Sequence, residues 1–237
     1  MQCVVLAGGL GTRMRPATAR VPKAMLAVAG RPFCDWQLEW LAGQGVTDVV
    51  LSTGHLGSQL REHVGDGRRF GLGVRYAEEG ERLRGTGGAL RLASDLGLLA
   101  DDFFVLYGDS YLSVDLGAVA RAHAAAPEPA LMTVYDNAGR LDASNAVVAG
   151  DRVVRYQKGL ADPPAGMHFI DYGLGVLARR LVDELIPAGA LADLATVYGT
   201  LAGRGQLAAY VVTERFYEVG SAAGLADLEA HLAGRDG

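Results

Sequence analysis

Lysine, cysteine and long apolar runs are all scarce in this sequence of 237 residues. Cys3 and Cys34 are the only cysteines, which excludes a disulfide framework and a cysteine-based metal cluster. No window reaches the roughly 20 apolar residues that a membrane span requires, and no basic leader of a secretion signal is found. The net charge of −5 disfavours a general nucleic-acid binder. We therefore expect a cytoplasmic protein that binds neither membrane nor nucleic acid.

The shortage of lysine makes its two occurrences informative. Lys23 and Lys158 are the only lysines among 22 basic residues, and the others are arginine. A compact ammonium can contact several phosphate oxygens where a planar guanidinium does not fit. We therefore predict that both lysines contact phosphate, with an ordinary surface position as the alternative for Lys158.

The most distinctive stretch is residues 4–25, VVLAGGLGTRMRPATARVPKAM. Its apolar start predicts a short buried strand, which ends abruptly at Gly8, Gly9 and Gly11. Glycines at such a turn let backbone N–H groups approach an anion without a Cβ in the way. The stretch therefore predicts a cradle for a nucleoside triphosphate or a pyrophosphate, whereas a plain strand-to-loop turn is the alternative.

Cations that follow the glycines favour the phosphate interpretation. Arg13, Arg15 and Lys23 would complete a site for several phosphate oxygens. A dinucleotide-binding fingerprint would need a third glycine at the sixth position from Gly9, where Met14 stands. No lysine follows the glycines at P-loop spacing either. A nicotinamide-dependent oxidoreductase is thus disfavoured, although bound nicotinamide cofactor would revive it.

Alternating strands and helices predict an α/β fold. Apolar strands at 47–53, 73–77 and 103–107 alternate with helices at about 32–44 and 58–64. This pattern favours a mixed, mostly parallel sheet with helices on both faces, and thus three layers.

The second half of the sequence continues the pattern with more strands. We predict a strand at 130–135, a hairpin within 146–156 and a strand at 169–177. We also predict helices at 115–126, near 180–186 and near 191–202, a strand at 207–212 and a terminal helix at 221–232. No repeat, low-complexity tract or linker divides the chain, so we predict a single domain.

Polar residues at the ends of these elements are candidate ligand contacts. The segment 78–88 is rich in glycine and opens a helix whose N–H groups could face a base or a phosphate. Asp109 follows the most apolar strand, at the edge where open α/β sheets bind ligands. Asp171 lies within an apolar strand, which is costly unless its carboxylate is paired or touches a ligand.

Four motifs together give a resemblance to a known family. They are LAGGLGTRMRP with VPKAM (residues 6–25), GTGGAL (85–90), LYGDSYL (106–112) and FYEVGS (216–221). In that order they resemble the sugar-1-phosphate nucleotidyltransferases, also called nucleotide-sugar pyrophosphorylases, along nearly the whole chain. Within the group the chain is most similar to short bacterial D-glycero-D-manno-heptose-1-phosphate guanylyltransferases, which lack the C-terminal β-helix of larger relatives.

The resemblance implies an architecture and a reaction. The fold would be the Rossmann-like nucleotidyltransferase fold without a C-terminal β-helix, as one domain over 1–237. Its nucleotide-binding part would be about 1–110 and its sugar-binding part about 111–237. The reaction would join an NTP and a sugar 1-phosphate into an NDP-sugar and pyrophosphate, with Mg²⁺ as cofactor.

The substrates stay open within that class. GTP with a heptose or hexose 1-phosphate is favoured, and UTP, dTTP or another NTP with a different sugar is the alternative. A non-catalytic homologue that binds nucleotide sugar and regulates a partner is a second alternative. The sequence carries no signal for an oligomeric state.

The resemblance also implies roles for individual residues. The catalytic residues would be Arg13 and Lys23. The nucleotide-binding residues would be Leu6, Ala7, Gly8, Gly9, Gly11, Thr12, Arg13, Thr86, Gly87, Gly88 and Asp109. The sugar phosphate and sugar would contact Lys23, Lys158, Asn145 and Asp171. The Mg²⁺ ligands would be Asp109 and Glu218.

The chain departs from the family pattern in three places. Gln157 replaces the glutamate that usually precedes the lysine of the Glu-Lys pair. Glu218 stands where many members have aspartate. The segment 81–84 lacks the usual proline and is one residue longer, close to the expected base pocket.

Overall fold

A mixed sheet forms the centre of the molecule in this computed structural model, which describes residues 1–80, 82–137, 139–160 and 162–234. The first part of the chain contributes β1 (Gln2–Leu6), β2 (Ala27–Val28), β3 (Arg31–Pro32), α1 (Phe33–Gly43), β4 (Asp48–Thr53), α2 (Gly57–Val64), β5 (Gly73–Glu78), α3 (Gly85–Asp95), β6 (Asp102–Tyr107) and β7 (Ser110–Tyr111). The second part contributes α4 (Leu116–Ala125), β8 (Ala130–Asp136), β9 (Ala146–Ala149), β10 (Arg152–Tyr156), β11 (Phe169–Ala178), α5 (Arg179–Leu185), α6 (Leu194–Gly203), β12 (Leu207–Val212), β13 (Tyr217–Glu218) and α7 (Ala222–Ala233).

The main sheet has the strand order β5-β4-β1-β6-β11-β8-β12-β10-β9. Strands β5, β4, β1 and β6 are parallel neighbours, and β12 is parallel to β8. Strand β11 is antiparallel to both β6 and β8, and β10 is antiparallel to β12 and β9. The sheet is mixed, as predicted, but its parallel share is smaller than expected because β11 and the β9–β10 hairpin enter antiparallel.

Helices cover both faces of the sheet. Successive side chains of a strand point to opposite faces, so Cys3 and Val5 pack in the core beneath α1, α2 and α4. Val4 packs in the other core, beneath α3, α5 and α6. Burying a leucine or valine fully contributes roughly 1.5–3 kcal/mol, and each core contains more than twenty buried apolar side chains. The predicted three-layer arrangement is confirmed.

A third, smaller core attaches the last helix to the start of the chain. Val28, Phe33 and Tyr111 pack there against Val219 and Leu228. Strand β13 pairs with β7 so that Glu218 lies opposite Ser110. The C-terminal motif FYEVGS is thereby brought beside the acidic turn that follows β6.

Two stretches owe their local structure to identifiable causes. The segment after the glycine turn forms three short 3-10 turns, Thr12–Met14, Ala17–Ala19 and Lys23–Met25, because prolines prevent a continuous helix. Helix α6 begins at Leu194, three residues after its predicted start. The backbone before Leu194 contacts the start of α3 instead of forming a helical turn, because the Ala192 amide donates to the Arg84 carbonyl.

No helix in the described part of the chain combines the length and apolarity that crossing a membrane requires. No β-helix follows β13 within residues 1–234 as far as the structure describes them.

Candidate active site

The carboxyl ends of the parallel strands surround a cavity of about 320 Å³. Most residues predicted to bind nucleotide line it, together with the predicted catalytic lysine: Leu6, Ala7, Gly8, Gly9, Gly11, Thr12, Arg13, Lys23, Thr86 and Asp109. Every lining residue lies between positions 6 and 109. We call this space the first cavity.

Glycine is required in the turn for two separate reasons. Gly11 has a φ of +60°, which lies in the left-handed region that side chains rarely adopt. Gly8 packs closely, because a Cβ there would overlap Glu79 Oε1 and lie 3.2 Å from the Gly54 amide nitrogen. At Gly9, in contrast, a Cβ would meet no atom within 4 Å. The open side of the turn at Gly9 is therefore available to a ligand.

A second cavity of about 730 Å³ adjoins the first. Asn145, Lys158, Asp171 and Glu218, all predicted site residues, line this second cavity. Three residues, Arg13, Tyr107 and Asp109, line both cavities. The two spaces therefore meet at these three side chains.

Charged groups of both signs converge at that junction. Lys23 Nζ donates a hydrogen bond to Asp109 Oδ2, and both side chains are largely shielded from solvent. Arg13 makes no hydrogen bond or ion pair with the other residues that the structure describes, so its guanidinium is available to an anion. A Cβ on Gly220 would lie 3.4 Å from an Arg13 guanidinium nitrogen and 3.6 Å from both Lys23 Nζ and Glu218 Oε2. The two predicted catalytic cations and Glu218 thus surround one point.

The two predicted metal ligands form a set that fits a divalent cation. The pKa of Glu218 is raised to about 7, first by burial and then by the negative charge of Asp109, although Lys23 and Arg13 oppose the rise. The two carboxylates are therefore close enough to repel each other. The Val219 amide donates to the Asp109 carbonyl over 2.9 Å, which keeps them together. Carboxylate oxygens are the ligands that Mg²⁺ and Ca²⁺ prefer.

The glycines that open α3 pack against the segment before α6. Gly87 and Gly88 do not line either of the two cavities described above, and their amides both donate to the Ala192 carbonyl, over 2.9 and 3.1 Å. A Cβ on Gly88 would come 2.6 Å from the Ala190 carbonyl oxygen. These two glycines therefore allow α3 to pack against the segment before α6, and their contact with a base stays a prediction.

Thr86 lines the first cavity and also contacts the start of α6. Its hydroxyl donates to Asp193 Oδ1 and accepts a hydrogen bond from the Leu194 amide, each over 2.9 Å. The hydroxyl thereby joins the starts of α3 and α6. Gly85 and Ala89 lie beside Thr86 on the cavity wall.

Some lining residues carry no obvious sequence signal. Ser52 Oγ is buried without a hydrogen-bond partner among the described residues, and Glu79 is buried with one carboxylate oxygen 2.5 Å from the Arg84 amide. Burial raises the pKa of Glu79.

Tyr107 looks like an ordinary apolar strand residue in the sequence. Its position directly before Gly108 and Asp109, at the end of a central strand, is the signal that could have identified it. Glu81, part of the segment that departs from the family pattern, lies outside the described residues.

Comparisons with known proteins now identify the family. The family model described as Nucleotidyl transferase matches residues 2–149. The N-acetylmuramate alpha-1-phosphate uridylyltransferase of Neisseria meningitidis is 30% identical over 99% of this chain and 99% of its own. The D-glycero-alpha-D-manno-heptose 1-phosphate guanylyltransferase of Campylobacter jejuni is 34% identical over 49% of this chain and 51% of its own. The chain belongs to the nucleotidyl transferase family, which confirms the predicted resemblance.

The lengths of the relatives differ. The chain spans only 46% to 53% of the length of several other relatives that it matches. Among solved structures, HddC from Yersinia pseudotuberculosis complexed with GMP-PN superposes with a TM-score of 0.79 at 24% identity, over 98% of this chain and 99% of that chain. This likeness confirms the predicted Rossmann-like nucleotidyltransferase fold.

The contrast between Gly8 and Gly9 gives a prediction about the turn. Gly8→Ala should lower the free energy of unfolding by about 1–3 kcal/mol, because the new methyl group must displace Glu79 and the Gly54 backbone. Gly9→Ala should leave the stability unchanged or raise it by up to about 1 kcal/mol. It should nevertheless weaken binding of a non-hydrolysable NTP analogue about tenfold, because the methyl group occupies the ligand side of the turn. Urea denaturation and calorimetric titration measure the two effects. Equal nucleotide affinity of Gly9→Ala and wild type would contradict a phosphate-binding turn.

Proposed function

We propose that this protein transfers a nucleotidyl group from an NTP to a sugar 1-phosphate and releases pyrophosphate. The observation that supports this most strongly is the pair of adjoining cavities, which meet at Arg13, Tyr107 and Asp109. A transfer between two phosphorylated substrates needs two binding spaces with a shared, cationic boundary. Membership of the nucleotidyl transferase family supports the same reaction.

We assign the first cavity to the NTP and the second to the sugar 1-phosphate. The first is lined wholly from residues 6–109, and the second mostly from residues 140–227. This division supports a nucleotide-binding part of about 1–110 and a sugar-binding part of about 111–237. Because NTPs are cytoplasmic substrates, we place the enzyme in the cytoplasm.

The reaction needs alignment and charge neutralisation more than proton transfer. A phosphate oxygen of the sugar 1-phosphate forms the bond to the α-phosphorus while the bond to the β-phosphate bridging oxygen breaks. Pyrophosphate leaves with those bonding electrons on the opposite side. The attacking oxygen is already anionic near neutral pH, so no general base is required. In this proposal Arg13 holds the departing pyrophosphate and Lys23 contacts the reacting phosphates, which lowers the repulsion between two anions.

We infer that Asp109 and Glu218 would hold Mg²⁺. Their carboxylate oxygens suit a hard divalent cation, and the raised pKa of Glu218 reflects burial and an acidic neighbour whose charge such a cation would offset. Bound there, Mg²⁺ supplies charge neutralisation for phosphate oxygens. The ion pair of Lys23 with Asp109 places a protein cation on the same acid.

Among the nucleotides we favour GTP, with a heptose or hexose 1-phosphate as the acceptor. A heptose 1-phosphate guanylyltransferase among the relatives supports this choice, while the uridylyltransferase from Neisseria meningitidis supports UTP and a different sugar as the alternative. Glu79 is a candidate for contact with a base, because it lines the first cavity and only one of its carboxylate oxygens accepts a hydrogen bond in the described structure. A non-catalytic regulatory homologue is disfavoured, because Arg13, Lys23 and both acids meet at one point.

A pyrophosphate-release assay tests the function directly. Five nucleoside triphosphates are combined with a panel of hexose and heptose 1-phosphates and with N-acetylmuramate 1-phosphate, in the presence of Mg²⁺. We expect turnover for at least one pairing, with GTP the best donor, and a loss of at least about a hundredfold in Lys23→Ala because a transition-state contact is removed. Absence of turnover in every pairing, from protein that binds nucleotide, would favour the regulatory homologue.

Removal of one acid tests the metal site. Asp109→Asn keeps the size of the side chain but removes one of the two charges that would hold the cation. We expect turnover to fall by at least about a hundredfold and the Mg²⁺ concentration for half-maximal activity to rise about tenfold or more. Asp48→Asn, at a half-buried acid that pairs with Gln2 and Arg75 at the other end of β4, is the matched control and should keep the wild-type turnover and Mg²⁺ requirement. An unchanged metal requirement in Asp109→Asn would move the cation to another site.

A further inference from the structure

The ammonium of Lys158 is held at the wall of the second cavity by one aromatic ring and one acid. Its Nζ donates to Tyr107 Oη over 3.0 Å and lies 4.4 Å from the centre of the same ring. It also lies 3.5 Å from Asp171 Oδ2. An ammonium has three N–H donors, and one is used by Tyr107. Because 40% of the side chain is exposed, the other donors are available to a ligand in the cavity.

Asp171 is already occupied by hydrogen bonds from the protein. Its Oδ2 accepts from Tyr107 Oη over 3.1 Å and from Tyr156 Oη over 2.9 Å. Its Oδ1 accepts the Gly173 amide over 3.0 Å. Only 4% of the side chain is exposed. The carboxylate is therefore paired within the protein and offers little surface to a sugar hydroxyl.

The two tyrosine hydroxyls are permanent donors. Burial, followed by the negative charge of Asp171, raises the pKa of both Tyr107 and Tyr156, so neither ionises near neutral pH. The Tyr156 ring is fixed by an edge-on contact with Tyr198, with ring centres 5.9 Å apart. Tyr107 is fixed at the end of β6. The hydroxyls thus hold Asp171 Oδ2 from two well-packed rings.

These contacts explain why the Lys158 ammonium lies 3.5 Å from Asp171 Oδ2 and donates its hydrogen bond elsewhere. An ammonium and a carboxylate attract each other and form a direct hydrogen bond where the carboxylate oxygen has a free acceptor position. Here the two tyrosine donors fill Oδ2, and the ammonium donates to Tyr107 instead. The lysine therefore stays close enough to neutralise the buried acid while its remaining donors face the cavity.

We propose that Asp171 is a positioning residue which, with Tyr107 and Tyr156, sets the Lys158 ammonium to bind the phosphate of the sugar 1-phosphate. The proposal rests on the proposed function, and it replaces the predicted contact between Asp171 and a sugar hydroxyl. Asn145 remains the candidate for that contact. Its Oδ1 accepts the Asp171 amide over 2.8 Å, while its Nδ2 has no hydrogen bond within the described structure.

Single and double variants separate positioning from direct contact. Tyr156→Phe, Asp171→Asn and Lys158→Met are assayed alone and in pairs with the best substrate pairing from the release assay. We expect each single variant to raise the KM for sugar 1-phosphate by about 5–20-fold with less than about a twofold change in the KM for NTP. If Asp171 acts through Lys158, the Lys158→Met/Asp171→Asn double variant should be no worse than Lys158→Met alone.

Tyr76→Phe is the matched control. It removes a hydroxyl of the same kind on the edge strand β5, which donates to the Gly65 carbonyl and lines neither cavity, so both KM values should stay at the wild-type level. Thermal unfolding and binding of a non-hydrolysable NTP analogue identify any variant that has lost its fold, and Tyr156→Phe keeps the ring that packs against Tyr198. Multiplying losses in the double variant would show that Asp171 contacts the sugar itself and overturn the proposal. A wild-type KM in both Tyr156→Phe and Asp171→Asn would overturn it too. A wild-type enzyme without turnover contradicts the proposed function instead.

Discussion

The ion pair between Lys23 and Asp109 joins the segment after the glycine turn to the turn that follows β6, and the arrangement of the site depends on that connection. Strands β1 and β6 are parallel neighbours in register, with Leu6 opposite Tyr107, so the segments that follow them leave the sheet side by side. The Gly108 amide donates to the Leu6 carbonyl over 3.1 Å and extends the pairing past the strands. Opposite charges on the two segments can then neutralise each other until phosphate groups arrive. The fold thus holds a cationic turn and an acidic turn in contact without burying either one completely.

The parts of the site that follow directly from strand order were predictable from the sequence. Glycines follow one apolar strand, β1, and an acid follows another, β6. Because the carboxyl ends of parallel strands meet at one edge of a sheet, this pattern predicts a turn and a carboxylate at that edge. The contacts around Asp171 were not predictable in this way. The sequence showed only that an acid in an apolar strand must be paired or touch a ligand. Its partners, Tyr107 and Tyr156, lie on β6 and β10, and they meet it only because β11 enters antiparallel beside β6. The sequence also could not show what the glycines of α3 contact. Glycine is favoured both where a ligand approaches the backbone and where two segments pack closely, and the pattern alone does not separate the two cases.

The two lysines occupy equivalent positions at the two cavities. Each has its ammonium beside a carboxylate that lines a cavity, Lys23 with Asp109 and Lys158 with Asp171. Many arginines instead form ion pairs on the surface, such as Arg179 with Asp101, where solvent leaves the interaction worth little. That lysine is used where a compact cation must meet phosphate stays a prediction. Exchange of either lysine for arginine would replace a compact ammonium with a broad planar group.

The most direct measurement of the central claim is a crystal structure with a non-hydrolysable NTP analogue and a sugar 1-phosphate bound together. The account predicts the triphosphate along the glycine turn of the first cavity, with the α-phosphate at the junction of Arg13, Tyr107 and Asp109. It predicts the sugar phosphate in the second cavity, in contact with Lys158. A nucleotide bound with its phosphates away from that junction, or a sugar 1-phosphate outside the second cavity, would contradict the account.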